Sequence, residues 1–300
     1  MRYLVTGSSG FIGSNLVFEL SKNKSNIIYA LDRKNPKIKK FNVINLKKDL
    51  KNVKKFPNVD IIFHLAAYNG TKFFYEKPIE VIEDNFVSTI NLVKFYKNKN
   101  IKLFVYSGTS ETVAGANKIV KYKIPTDEKC PIVLEDIYNP RWSYANSKTA
   151  SEQLVALSGM PFMILRYFNV FGKNQKDHFI PEFIDRLRKK QFILYGYKNT
   201  RTFIYLTDAI KATIKLSKLK QAYGQIINIG GKDEIKIIKI AKIIMKMNGQ
   251  SKDIIKLKKL SAPKGSPMRR KPDIKKAEKL IGNFNKISLV EGLREVLNLK

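Results

Sequence analysis

Cysteine and histidine are scarce in this sequence. The single cysteine, Cys130, has no partner for an internal disulfide, and two histidines, His64 and His178, supply too few ligands for a zinc centre. No run approaches the ~18 consecutive apolar residues of a membrane span. The first residues, Arg2 to Thr6, already read as a strand, with no basic start leading into an apolar stretch, so a soluble cytoplasmic protein is expected. Acidic residues are also few, 25 against 57 basic ones, for a formal net charge of +32. Only ten of the basic residues are arginines, and the lysines are spread along the chain, as at Lys236, Lys239, Lys242 and Lys246, where the spacing puts them on one helix face. Lysine dispersed in this way is a solvated surface rather than a base-reading one, so no stable nucleic-acid partner is expected, although anionic substrates would be drawn to it.

What is present is an ordinary globular composition, 44% hydrophobic over 300 residues, enough for a large core. Short apolar or β-branched runs predict strands at 3–6, 27–31, 43–45, 61–65, 103–107 and 162–167, and helical spacing predicts helices at 11–21, 81–96 and 143–157. Strands apolar throughout and separated by helices imply a parallel sheet covered on both faces. The 81–96 stretch is apolar over more than one stripe, as expected of a doubly buried helix or an oligomer face. Beyond residue 167 the pattern loosens into helices near 179–190, 206–218, 235–247, 274–280 and 289–299, with short strands at 192–195, 203–205, 226–228 and 254–257. The fold class is therefore α/β, a doubly wound parallel sheet followed by a small, irregular C-terminal cap with no clean linker between them.

Gly7, Gly10 and Gly13 follow the first strand and, with Phe11 and Ile12, open the first helix. Gly7 lets the chain turn, Gly10 lets the backbone approach a diphosphate, and Gly13 lets the helix lie close to the sheet, while the helix N-terminus offers an anion site. Asp32 ends the second strand, where a carboxylate accepts hydrogen bonds from the adenosine ribose and repels a 2′-phosphate. The neighbouring Arg33 could accommodate such a phosphate, but the carboxylate favours NAD over NADP. Asp49 and Leu50 are placed to meet the adenine, and Leu65, Ala66 and Ala67 offer small side chains where a cofactor crosses the fourth strand end. His64, on the strand itself, reads as an interior histidine.

Two Tyr-x-x-x-Lys strings occur, Tyr144 with Lys148 and Tyr68 with Lys72, about the number chance provides. Tyr144 and Lys148 share a helix face, and an ammonium beside a phenol favours the phenolate, a base for a substrate hydroxyl. Tyr68 and Asn69 follow the fourth strand in a glycine-containing loop and line the same site. The fifth strand end presents Ser107, Thr109, Ser110 and Glu111, with Thr109 or Ser110 as hydroxyl partner of the substrate; the sixth leads to Asn169, a candidate contact for substrate phosphate or hydroxyl.

Taken in order, Thr6 to Gly13, His64 to Ala67, Phe104 to Ser107, Tyr144 to Lys148, Leu165 to Gly172, Arg201 to Asp208 and Arg270 to Asp273 resemble the motifs of the extended short-chain dehydrogenase/reductases, specifically the NAD-dependent epimerase/dehydratase group acting on nucleotide sugars. The resemblance implies a Rossmann-type doubly wound sheet with a smaller C-terminal α/β substrate domain, residues 1–168 forming the cofactor-binding part and 169–300 mainly the substrate part with some segments returning to the first. It further implies tightly held NAD, a nucleoside diphosphate sugar as substrate, and a homodimer joined by a four-helix bundle of 81–96 and 143–157. It implies Tyr144 as base, Lys148 as its activator and ribose ligand, and Asn85 near the cofactor. Asn169 becomes a substrate-phosphate contact and Arg201 with Arg270 pyrophosphate ligands; Arg269 adjoins Arg270 and shares that assignment. The usual tyrosine after the fifth strand is missing, and Ser110 replaces the acid that dehydratases of the group carry. Neither Cys130 nor His178 matches the acid/base pair of the reductase-epimerases. Thr109-Ser110-Glu111 resembles decarboxylases and some epimerases, so Glu111 keeps a lyase open. A 4-epimerase that oxidises the C4 hydroxyl through Tyr144 is the leading expectation, ahead of a 4-dehydrogenase, a decarboxylase and a dehydratase; a basic nucleic-acid-associated module is the alternative of another class.

Overall fold

The computed structural model describes residues 1–35 and 38–299. From the N-terminus run β1 (Arg2–Thr6), α1 (Phe11–Ser21), β2 (Ile27–Asp32), β3 (Val43–Lys47), β4 (Ile61–His64), α2 (Thr71–Glu76), α3 (Pro78–Tyr96), β5 (Leu103–Thr109), α4 (Ala116–Ile119), α5 (Trp142–Ala156) and β6 (Phe162–Tyr167). They are followed by β7 (Val170–Phe171), α6 (Phe179–Arg188), β8 (Ile193–Tyr195), β9 (Thr200–Arg201), β10 (Ile204–Tyr205), α7 (Leu206–Ser217), β11 (Gln225–Ile229), β12 (Ile235–Lys236), α8 (Ile237–Met247), β13 (Lys258–Leu260), β14 (Arg269–Arg270), α9 (Lys275–Ile281) and α10 (Leu289–Leu297).

Seven parallel strands pair in the order β11-β6-β5-β4-β1-β2-β3. The chain runs outward from β1 to β3 and then restarts at β4 on the other side of β1, which opens a crevice at the carboxyl ends of β1 and β4. The central strands β1, β4 and β5 are buried on both faces because each face has its own helical layer. Val5, Phe63, Val105 and Leu165 pack with Leu16 and Val17 of α1 and Ile210 of α7 on one side. Leu4, Ile62, Phe104 and Ile164 pack with Leu92, Val93 and Tyr96 of α3 and Val155 of α5 on the other. The apolar excess in 81–96 is thus divided: Val81, Leu92, Val93 and Tyr96 are buried within the chain, while Ile82 and the preceding Ile79 stay 41% and 75% exposed.

The later third builds a separate apolar core between α6, α8 and α10, with Phe183, Ile240, Ile244 and Leu293 at its centre. Small sheets β10-β7, β12-β9-β14 and β13-β8 edge it. β11 pairs with β6 and extends the main sheet, and α7 and α9 join its first core. A strand at 254–257 is not found. Ser251–Lys256 forms a 3₁₀ turn, which places Ile254 against the third core and leaves Ile255 exposed, and the strand β13 starts only after it. Two adjacent isoleucines suit either period, and here the alternation that would mark a strand is missing. Among the described residues no helix is long and apolar enough to cross a membrane, and no group of His, Cys, Asp and Glu side chains could hold a metal ion.

Candidate active site

The carboxyl ends of β1, β4, β5 and β6 open on a cavity of about 790 Å³ that continues to β9 and β14. The glycine turn forms one end of it. Gly7 has φ +70, and a Cβ there would lie 2.7 Å from the backbone nitrogen of Ala66; one on Gly13 would fall on the carbonyl of Gly7. β1, α1 and the end of β4 therefore meet backbone to backbone. α1 begins at Gly10 with no side-chain cap and no acidic residue in its first turn, so its N-terminal N–H groups face the cavity without a protein acceptor. Asp32 is fixed beside them: Oδ2 accepts from the backbone N–H of Ser9 (2.9 Å) and Oδ1 from that of Lys34 (2.8 Å). An uncapped helix start, a cradle that tolerates no side chain and an oriented carboxylate fit a dinucleotide. Gly13→Ala is expected to separate the turn from the helix and to weaken binding of added NADH at least roughly tenfold, at a stability cost of about 1–3 kcal/mol. Nicotinamide fluorescence titration and thermal melting check the two effects.

Gly7, Gly10, Phe11, Ile12, Gly13, Arg33, Leu65, Ala67, Tyr68, Asn69, Ser107, Thr109, Ser110, Glu111, Tyr144, Asn169, Arg201 and Arg270 all line this cavity. Others named from the sequence do not. Leu50 is buried in the second core, and Asp49 accepts from the N–H of Lys51. Ala66 packs against the same core. Asn85 is consumed within the protein: its Oδ1 accepts from the backbone N–H of Tyr68 (2.6 Å) and its Nδ2 donates to Ser147 Oγ (3.1 Å), so it ties the loop after β4 to α5 instead of facing a ligand. Arg269 turns away, its Nη2 donating to Glu234 Oε2 at 2.6 Å, while Arg270 enters the cavity. Neighbours on a strand point to opposite faces, which decides between the two arginines. His64 is an interior histidine, with Nδ1 2.7 Å from Thr6 Oγ1 and Nε2 3.0 Å from Thr89 Oγ1.

Tyr144 stands on the first turns of α5 and stacks on Phe74 of α2, with ring centroids 4.7 Å apart and planes 13° apart. Burial raises its pKa, the nearby Glu111 carboxylate raises it further, and the Thr109 hydroxyl works the other way. Lys148 lies one turn on and is 1% exposed. Its Nζ reaches Ser107 Oγ at 3.5 Å and sits 4.2 Å from the centre of the Tyr106 ring. Burial pulls its pKa down to about 7, against a partly restoring field from Glu152. Burial disfavours charge on both side chains, so at Tyr144 the neutral phenol is the favoured form. Tyr68 is no rival. Lys72 lies on α2, 74% exposed and within 3.8 Å of Glu76, and the Tyr68 ring packs on Phe73.

Lys148 also gives the protein a pH signature. Its folded pKa of about 7 lies below the ordinary value of 10.5, so the unfolded chain binds more protons between these values and stability rises with pH. Between pH 7 and pH 9 the wild type is expected to gain about 2 kcal/mol relative to Lys148→Met. Chemical denaturation of both proteins across that range measures the difference, and parallel curves would remove the assignment.

Beyond Tyr144 the cavity is cationic. Arg141, one residue before α5, donates through Nη2 to both oxygens of Glu111, at 3.0 and 2.9 Å, and Arg270 Nη2 lies 2.8 Å from Glu111 Oε1. Burial works to raise the Glu111 pKa, but Arg141, Arg270 and Arg201 together hold it down at about 2. Arg201 is itself lowered to about 9 by burial and by Arg270. The Nε atoms of Arg141 and Arg270 are buried without a protein acceptor. Three guanidinium groups against one carboxylate leave the site prepared for an anion. Asn169, at φ +42, donates to the carbonyl of Thr202 and anchors the wall behind them. Arg141 and Phe74 were not expected from the sequence; the one signal was the position of Arg141 just ahead of Tyr144. Cys130 is buried with its thiol raised to about 11 and lies outside the cavity lining, whereas His178 lines the cavity as an exposed residue just before α6.

With a glycine cradle, Tyr144 and an arginine-rich far wall in one crevice, and Lys148 buried one helical turn behind the tyrosine, similarity to known proteins becomes informative. Residues 3–230 match the family described as NAD dependent epimerase/dehydratase. The chain belongs to that family. Over 99% of its length it is 34% identical to a UDP-N-acetyl-alpha-D-glucosaminuronate decarboxylase of Bacillus cytotoxicus, 96% of which is covered. It is 26% identical to UDP-glucuronic acid decarboxylase 6 of Arabidopsis thaliana, over 98% of this chain and 87% of that one. Among solved structures, a UDP-glucuronic acid 4-epimerase of Bacillus cereus in complex with UDP-glucuronic acid and NAD superposes with a TM-score of 0.87, at 26% identity and over 99% and 98% of the two chains. The protein is thus an NAD-dependent enzyme of this family, and its relatives act on nucleotide sugars.

Proposed function

We propose that the enzyme oxidises the C4 hydroxyl of a nucleoside diphosphate hexuronic acid and releases its C6 carboxylate as carbon dioxide. Bound in the crevice, NAD supplies the hydride acceptor. Tyr144 takes the hydroxyl proton, with Thr109 hydrogen-bonding the same oxygen and Lys148 providing positive charge from below. A C4 ketone makes the C6 carboxylate that of a β-keto acid. Breaking the C5–C6 bond sends its electron pair to the C4 oxygen as an enolate, and the phenol of Tyr144, now protonated, stabilises that oxygen. C5 then takes a proton from solvent water, and Tyr144 would return its proton to the C4 oxygen as that carbon regained the hydride. The observation that carries this reading is Glu111: it engages Arg141 and Arg270, so a substrate carboxylate placed beside it faces a like charge and is less stabilised in the bound state than it would be by the arginines alone. The full-length likeness to a decarboxylase supports it.

A 4-epimerase, the leading expectation from the sequence, is the second reading, favoured by the unpaired Nε donors of Arg141 and Arg270, which are able to hold a carboxylate in place through the ketone stage. In both readings Asn169, Arg201 and Arg270 hold the nucleotide sugar. Incubation with UDP-glucuronate, UDP-N-acetylglucosaminuronate, UDP-glucose and UDP-galactose, read by product mass, separates them. A product lighter by carbon dioxide supports decarboxylation, an isomer of unchanged mass replaces it with epimerisation, and turnover of none removes both. We further propose a homodimer through α3 and α5, supported by the exposed Ile79, Ile82 and Leu157. A monomer by light scattering at micromolar concentration would remove it.

A further inference from the structure

Arg33 follows Asp32 at the end of β2 and lines the cavity, the place from which an arginine meets the 2′-phosphate of NADP. It is 48% exposed by side chain, yet it is not free. Its Nη1 donates to Asp84 Oδ2 at 2.8 Å, and its guanidinium lies 5.1 Å from the centre of the Tyr68 ring. Asp84, on α3, is only 14% exposed, and its other oxygen meets Lys51 Nζ at 2.7 Å. The tether is built from a rigid base, since Asn85 next to Asp84 holds the backbone of Tyr68. Three elements, β2, the loop after β4 and α3, thus fix one guanidinium.

We infer that Asp84 is a determinant of the choice of NAD over NADP, because it holds Arg33 on Tyr68 and away from the 2′ position that Asp32 guards. Asp32 repels the phosphate, while Asp84 removes the guanidinium adjoining Asp32 that would compensate it. The inference concerns cofactor selection and does not depend on the reaction proposed for the sugar. The test is calorimetric titration of cofactor-stripped wild type, Asp84→Asn, Asp84→Ser, Arg33→Ala and Asp84→Asn/Arg33→Ala with NAD⁺ and with NADP⁺, repeated in an Asp32→Asn background. Freeing Arg33 should raise NADP⁺ affinity relative to NAD⁺ roughly tenfold or more, the value of a charge-assisted bond to phosphate. Arg33→Ala, added to Asp84→Asn, should abolish the gain. An unchanged NADP⁺ to NAD⁺ ratio in both Asp84 variants and both backgrounds, or a gain that persists without Arg33, would overturn it.

Discussion

Tyr144→Phe is expected to lower turnover by ~10²–10⁴ while leaving the Michaelis constant for the nucleotide sugar little changed. The substitution removes one oxygen and keeps the ring that stacks on Phe74, so α2 and α5 retain their packing and the glycine cradle, at the far end of the cavity, is untouched. The lost atom is the proton acceptor for the C4 hydroxyl. Hydride cannot leave that carbon efficiently without it, whichever fate the ketone then meets. Tyr68→Phe is the matched control: its ring packs on Phe73 and under Arg33, and its Tyr-x-x-x-Lys partner is on the surface. That variant should keep turnover near the wild-type level. Near-normal turnover in Tyr144→Phe together with failure of Tyr68→Phe, both proteins being folded and NAD-loaded, would sink the assignment.

The parts of this site that were readable in the sequence are those whose geometry is local. Gly7, Gly10 and Gly13 lie within two turns of one another and directly follow a strand, so their backbone requirements translate into spacing, and Asp32 is reached through a single helix. Tyr144 and Lys148 are likewise one helical turn apart. Spacing shows that they share a face but says nothing of the dielectric around them, and burial turned out to hold the phenol neutral and to bring Lys148 to about pH 7. The pairing of Glu111 with Arg141 and Arg270 joins three distant segments, and no local rule links them. Asn85 sits where a cofactor contact would be, yet its amide is satisfied by Tyr68 and Ser147. The strands β7, β9 and β14, two residues each, are too short for any period to appear, and that is why Arg269 and Arg270 were separable only by the side to which each points.

Glu152→Ala should be the most destabilising single change near the site, at about 3–5 kcal/mol, because it leaves a buried arginine without its counter-ion. Arg166 of β6 donates to Glu152 of α5 three times, through Nε to both oxygens at 3.2 and 3.1 Å and through Nη2 at 2.7 Å, and the two side chains are 3% and 5% exposed. Solvent cannot replace the carboxylate there, and Arg166 Nη1 is already without a partner. The pair occupies the space above Gly108, where a Cβ would lie 2.5 Å from Glu152 Oε1, so the end of β5 is shaped around it. Glu152 also raises the pKa of Lys148, and its removal should lower that lysine further and leave less ammonium beneath Tyr144 at neutral pH. Two losses follow, a fall in melting temperature of order 5–10 °C and a drop in turnover that is partly recovered at lower pH. Replacing both partners, Glu152→Leu with Arg166→Met, removes the unpaired charge and should restore most of the stability without restoring the field on Lys148. A double variant that recovers neutral-pH turnover along with its melting temperature would show that Glu152 serves packing alone.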